Sequence, residues 1–355
     1  MNILICSSYK NSWHAVRPEA EVFIELAKQG HNITIATQGD AEYVQRFKEH
    51  GIDVIDAYPT KKICLNTIRT LKHVISKKQI EICYAFNSKT IPNAAFAAIG
   101  SKVKLIAYRG TTGGLYRHDP SAYLTILHPR IDGVICVSEA VRQDVLKKVW
   151  RNRQNVVTIY KGHDINWYNA TPTDRSTLGI PQRAKVGICV ANSRPSKGVH
   201  VLLEAVKDID NPDFHLVLAG NGMEALAEQA KQSKMAQRIH FLGFRKDISN
   251  LMAMADFQIQ PSISGEGLPK TIIEAMVASK PSIVTTAGGS SELISDKNGQ
   301  VIETGDAESL HLAIQRFISC KIDLVKLGKI SKEIMMKNFS LEKSVLDHID
   351  YFIQL

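Results

Sequence analysis

Short apolar runs rich in valine and isoleucine recur along the whole chain, and the longer stretches between them repeat apolar residues at helical spacing. Apolar runs that brief and continuous read as strands covered on both faces, which is the pattern of βαβ units and a parallel sheet. In the first half the predicted strands are Ile3–Cys6, Ile33–Ala36, Asp53–Ile55, Ile82–Tyr84, Leu105–Tyr108, Val134–Val137 and Val156–Ile159. Helices such as Glu19–Gln29 and Ser138–Val149 lie between them, with Ser138 placed to cap the second. The rhythm breaks at Lys161–Arg183, where Gly162, Pro172, Gly179 and Pro181 stand among polar residues as in a connection. A second series then predicts strands at Val186–Ala191, His215–Ala219, Ile239–Leu242, Phe257–Gln260, Pro281–Thr285 and Gln300–Ile302, and a last helix at Leu341–Gln354 behind Ser340 as its cap. Two doubly wound, Rossmann-like parallel-sheet domains are expected, residues 1–160 and 161–340, facing each other across a cleft. Ligands of such sheets sit at the carboxyl ends of the strands.

Composition adds little until charge is divided along the chain. With 355 residues, 44% hydrophobic and 22% charged, this is ordinary globular material, long enough for two cores. Residues 1–160 carry 22 Lys and Arg against 13 Asp and Glu, whereas residues 161–355 carry 22 of each. The whole basic excess therefore lies in the first half, which suits either an anionic partner or a solvated surface. Six scattered cysteines (Cys6, Cys64, Cys83, Cys136, Cys189, Cys320) form no C-x-x-C pair and read as reduced core residues. No secretory leader or membrane-spanning run is read, so the expected location is the cytoplasm, with peripheral contact at the inner face of the membrane as an extension.

Candidate chemistry gathers in the second half. Ser262–Met276 runs from a strand end through the small-residue loop around Gly265 and Gly267 into a helix expected to open at Pro269. Amides of Gly267, Leu268 and that first turn would make an anion site, and the glycines would let a phosphate approach the backbone. Glu266 and Glu274, with seven residues between them, can meet one ligand from two sides as acceptors for sugar or ribose hydroxyls. Carboxylates also favour helix starts for electrostatic reasons alone. Arg194 and Lys197 lie just past another buried strand, where a planar fork and a mobile point charge could hold phosphate oxygens. Gly220-Asn221-Gly222 and Gly288-Gly289-Ser290-Ser291-Glu292 follow two further strands, with Ser290 or Ser291 expected to cap a helix. Amides, cations and carboxylates at one sheet edge match a diphosphate flanked by polyhydroxyl groups.

These stretches resemble glycosyltransferase family 4, the retaining enzymes of the GT-B fold, over about Val186–Val301. The likeness rests on Asn192–Gly198 running into Val201–Ala205, Leu216–Gly222, Ile239–Phe244, Leu251–Ser262, the E-x7-E pattern of Glu266 and Glu274, and Gly288–Ile294. It implies that Arg194 and Lys197 hold the diphosphate of a nucleotide-sugar donor, assisted by the Gly267 and Leu268 amides. Glu266 would contact the donor sugar, Glu274 the ribose, and the Gly243–Arg245 turn, with Phe244 and Arg245, the nucleobase. The final helix would cross back onto the first domain. Two departures stand out: the first loop, Ser7–Arg17, holds no glycine, and the interdomain N-G-V-D pattern reads Lys161-Gly162-His163-Asp164. Where many members carry a histidine, this chain has Arg109-Gly110-Thr111, with His118 further on as the other acceptor-side candidate.

The expected activity is retaining transfer of a sugar from a nucleotide-diphosphate sugar to a glycan or lipid-linked, anionic acceptor, in cell-surface polysaccharide or lipopolysaccharide biosynthesis. No metal or other cofactor is expected: Asp208-Ile209-Asp210 has a metal-binding form but falls between a helix and a strand, at the wrong sheet edge. A nucleotide-sugar epimerase of the same fold and a non-catalytic sugar-nucleotide-binding protein are the alternatives. No aromatic-studded basic motif points to nucleic acid. Lys61–Lys78, with Cys64, Ile68, Leu71 and Ile75 on one face, reads as a surface helix packing inward rather than one lying on a membrane.

Overall fold

The computed structural model of the protein describes residues 1–10, 13–319 and 321–355, so Asn11, Ser12 and Cys320 lie outside the described residues. The apolar runs form two sheets. Strands β1 (Asn2–Cys6), β2 (Asn32–Thr37), β3 (Asp53–Asp56), β4 (Ile82–Ala85), β5 (Lys104–Arg109), β6 (Gly133–Cys136) and β7 (Val156–Thr158) pair in the order β3-β2-β1-β4-β5-β6-β7. Strands β8 (Lys185–Val190), β9 (Phe214–Ala219), β10 (Ile239–Phe241), β11 (Phe257–Gln260), β12 (Ser282–Thr285) and β13 (Gly299–Ile302) pair in the order β10-β9-β8-β11-β12-β13. Every pairing is parallel. Each sheet reverses its winding beside its first strand, between β1 and β4 and between β8 and β11, and there an open α/β sheet has its ligand crevice. Each predicted strand lies within a residue or so of the one observed, because continuous β-branched runs have few other places to go.

The chain divides into Met1–His163 with Phe339–Leu355, and Asp164–Asn338. The N-terminal unit buries Ile3, Ile5, Phe23, Ile35, Phe47, Ile82 and Ile106, and the second buries Leu202, Leu216, Phe257, Ile259, Ile283 and Ile314. Where the chain leaves the first unit and returns, His163 N–H donates to Phe339 O at 2.9 Å and Leu341 N–H to His163 O at 3.2 Å. The returning helix, Leu341–Gln354, is capped by Ser340 Oγ, which accepts from Lys343 N at 3.2 Å, and it packs on the helix Trp13–Lys28. Ser138 caps Glu139–Leu146 in the same way.

Local details differ from expectation. The helix predicted over Lys61–Lys78 covers Leu65–Lys77, and Cys64 precedes it as the cap residue, its amide donating to Asn93 Oδ1 at 2.8 Å. Thr67, Leu71, Val74 and Ile75 face inward while Lys72 and Lys77 stay exposed, as in an ordinary surface helix. Cys6, Cys83, Cys136 and Cys189 are buried free thiols and Cys64 is half-buried.

The returning helix also sets the acid stability. His348 is buried and donates from Nδ1 to Ser344 O at 2.7 Å, and burial pushes its pKa down to about 4. The stacked pair His215 and His240, 2.9 Å apart between ring nitrogens, is likewise pushed down by burial. These side chains must stay neutral in the folded state, while the unfolded chain protonates near pH 6.5. Stability is therefore full above that pH and falls as pH drops towards 4, by on the order of 3 kcal/mol for His348 alone. Denaturant unfolding at pH 7.5, 6 and 5 checks this. His348→Phe should flatten the loss, and an unchanged slope would contradict the assignment.

Candidate active site

In the second unit the loops after β8, β9, β11 and β12 all leave the carboxyl edge of the sheet, and main-chain hydrogen bonds tie them together. Ser193 N donates to Asn221 O at 3.1 Å, Ile263 N to Ser196 O at 2.8 Å, Gly220 N to Gly243 O at 2.8 Å and Gly289 N to Gly267 O at 3.1 Å. Contacts this close require glycine at several crossings, Gly220 among them. At Gly198, with φ +66°, an added Cβ would lie 1.8 Å from Pro261 O, and at Gly288, with φ +55°, 2.0 Å from Glu266 O.

The centre of this cluster is Glu266, buried at 6% exposure. Its Oε1 accepts from Lys197 Nζ at 2.7 Å, Ser262 Oγ at 2.5 Å and Gln260 Nε2 at 3.1 Å. The bonds hold one face of the carboxylate, and Oε2 receives no hydrogen bond among the described residues. Gln260 is itself fixed, since its Oε1 accepts from Thr271 Oγ1 at 2.9 Å and from Gln258 Nε2 at 3.1 Å. Strand alternation makes this possible. Gln258, Gln260 and Ser262 stand two apart and so share one side of β11 and its extension. Sequence reasoning missed this polar face, although its period of two in Phe257–Ser262 was there to be read.

Beside Glu266 the amides of Gly267 and Leu268 donate to no protein acceptor among the described residues. The helix Lys270–Val277 begins one residue later than expected: Pro269 holds the cap position, with φ −66° and ψ 116°, instead of the first helical turn. Glu274 is buried in that helix, and its Oε1 accepts from Lys270 Nζ at 2.7 Å, a partner that the motif spacing did not reveal. Arg194 is exposed and its guanidinium makes no hydrogen bond or ion pair among the described residues. Ser290 and Ser291 do not cap their helix; Gly289 occupies the cap position and both serines fall in the first turn.

Of the other expected site residues, Gly220 and Asn221 belong to the tied loops, and Gly265 is exposed in the β11 loop. Phe244 is 64% exposed next to the Gly243 contact, while Arg245 is paired with Asp247 through two bonds of 2.7 and 2.6 Å. Asp208 and Asp210 lie in the turn before β9, at the amino edge of the sheet. Burial pushes the Cys189 thiol up to about 12, so it is no nucleophile. In the first unit, Arg109 braces its own loop through Thr111 O at 3.0 Å and Gly113 O. Gly110 packs against the Tyr108 side chain, and His118 stacks on Tyr116 with no hydrogen bond to the Arg109–Thr111 segment.

Residues 170–334 match the family model described as glycosyl transferases group 1, and residues 20–167 the model described as glycosyltransferase family 4. The chain belongs to the family 4 glycosyltransferases. Among curated relatives, the lipopolysaccharide core biosynthesis glycosyltransferase LpsE of Rhizobium meliloti is 26% identical over 214 residues, covering 59% of this chain and 61% of the relative. The chain thus spans about six tenths of that relative's length. The N-acetyl-alpha-D-glucosaminyl L-malate synthase of Bacillus anthracis is 25% identical over 342 residues, covering 90% of this chain and 88% of the relative. The crystal structure of HepE from Anabaena in complex with UDP is 21% identical, covers 100% of both chains and has a TM-score of 0.83, which shows the shared fold. In this member of the family both sheets are Rossmann-like, and no described helix is long and apolar enough to cross a membrane.

If the crossing at Gly198 sets the loop geometry, Gly198→Ala should cost about 2 kcal/mol or more through clash and a strained φ. Urea unfolding measures it, and a loss below about 0.5 kcal/mol would show that the loops can move apart freely.

Proposed function

We propose that this chain is a retaining glycosyltransferase that moves a sugar from a nucleotide-diphosphate donor, held by the second unit, to a glycan or lipid-linked acceptor. One observation carries the reading: Lys197 is paired with the buried Glu266 carboxylate, and the Gly267 and Leu268 amides that follow it in the chain donate to no acceptor among the described residues, at the winding reversal of the second sheet. The diphosphate would take the positive side of this arrangement, meeting Lys197, the free amides and Arg194, while the sugar takes the carboxylate. Glu266 Oε2 would accept a donor-sugar hydroxyl, its other oxygen being already anchored. Glu274 would face the ribose, and exposed Phe244 offers a ring for the base. Stabilising charge on the departing diphosphate is the dominant contribution. The acceptor hydroxyl would attack on the face that the diphosphate leaves, and the diphosphate itself would take the proton.

This charge inventory needs no metal ion, and transfer should persist in excess EDTA; its abolition there with rescue by a divalent cation would overturn that part. The basic excess of the N-terminal half supports an anionic acceptor and peripheral contact with an anionic membrane face. The similarity to a lipopolysaccharide core enzyme supports a role in cell-surface polysaccharide or lipopolysaccharide biosynthesis.

A thermal-shift screen of UDP-, GDP-, ADP- and TDP-linked sugars should find one donor that stabilises the protein. With that donor, Arg194→Ala and Glu266→Ala should each lower turnover roughly a hundredfold or more while the fold persists. Wild-type rates in both variants would remove these residues from the mechanism. Nucleoside diphosphate released only when acceptor is present separates transfer from epimerisation.

A further inference from the structure

One departure from the family pattern noted in the sequence, Lys161, lies beside the first helix. Glu19 stands on that helix, after β1, and Lys161 follows β7, in the altered interdomain stretch. Both line one crevice of the first unit with Tyr84, Phe86, Tyr108 and His348, at the carboxyl side of the sheet. Lys161 Nζ lies 5.2 Å from the centre of the Tyr108 ring and has no carboxylate within ion-pair distance among the described residues. Glu19 Oε1 accepts from Ser7 Oγ at 2.7 Å, and Glu19 Oε2 receives no hydrogen bond among the described residues. Close by, the Tyr9 hydroxyl is fully buried beside Glu19 and Ser7.

A carboxylate and an ammonium that line one crevice without pairing with each other are a costly arrangement unless something fills it. Burial pushes the Glu19 carboxyl up, and the neighbouring Lys161 charge opposes this. The opposite charges cancel to a dipole, which disfavours phosphate and suits a neutral group that both donates and accepts. A sugar hydroxyl or hydroxymethyl does both.

We propose that Glu19 and Lys161, with Tyr108 beside them, form a hydroxyl-recognition subsite in the N-terminal unit that seats a neutral sugar hydroxyl or hydroxymethyl arm of the acceptor. This rests on the glycosyltransferase reading for the word acceptor, but not for the binding itself. It assigns Lys161 a reason to depart from the asparagine of the family pattern: an ammonium can serve Tyr108 and a ligand oxygen together.

The test is saturation-transfer NMR on the full chain without nucleotide, using methyl glycosides of glucose, galactose, mannose and N-acetylglucosamine, with inorganic phosphate as competitor. At least one glycoside should bind, phosphate should not displace it, and Glu19→Gln and Lys161→Met should each weaken it by about tenfold or more. Thermal stabilisation by the donor nucleotide should stay unchanged in both variants, so that failure here is distinct from failure of the donor site. Absence of glycoside binding, displacement by phosphate, or equal binding in both variants would overturn the proposal. So would Lys161→Met raising the melting temperature with binding intact, the mark of a merely structural pair. Should either variant fail to fold, Tyr108→Phe decides by the same criteria.

Discussion

Charge in the second unit is organised around one buried carboxylate. Glu266 would be expensive to hold at 6% exposure without partners, and Lys197, Ser262 and Gln260 supply them through a single oxygen. The pairing draws the loop after β8 onto the loop after β11, across the strands where the sheet reverses. Gly198 permits the contact at one crossing and Gly288 at another. The same constraint leaves Glu266 Oε2, the Gly267 and Leu268 amides and the Arg194 guanidinium without hydrogen-bond partners among the described residues. The molecule satisfies its buried groups from behind and presents the remainder at the sheet edge.

A rigid floor of this kind is what electrostatic catalysis requires, because donors already in place need not reorganise as charge develops. Gln258 and Gln260 extend the order backwards into the sheet, and Thr271 ties it to the following helix. Lys270 performs for Glu274 the service that Lys197 performs for Glu266. Both carboxylates of the E-x7-E pair are therefore ion-paired on one oxygen, a symmetry invisible in their spacing.

Much of the architecture could be read from sequence because parallel strands are written locally. Val186–Ala191 or His215–Ala219 has no alternative to burial on both faces, and Gly or Pro stands near the end of many runs. Glu266, Glu274, Arg194 and Lys197 were legible as a set because each follows a strand end. Their mutual contacts were not, since Lys197 and Glu266 are 69 residues apart and nothing local specifies which cation meets which carboxylate. Pro269 and Ser290 were misplaced by one position at their helix starts, where proline or serine fits the cap and the first turn almost equally. That Glu19 and Lys161 share a crevice was not legible, because the chain must fold before the first helix and the segment after β7 become neighbours.

The central claim is that the second unit recognises a diphosphate with Arg194, Lys197 and the backbone beside Glu266. Calorimetric titration of the four nucleoside diphosphates and their parent nucleosides into wild-type protein and an Arg194→Ala, Lys197→Met double variant tests it most directly. The account predicts one diphosphate binding on the order of a hundredfold more tightly than its nucleoside, a gap that collapses in the double variant while nucleoside binding holds. A gap of the same size in both proteins would contradict it.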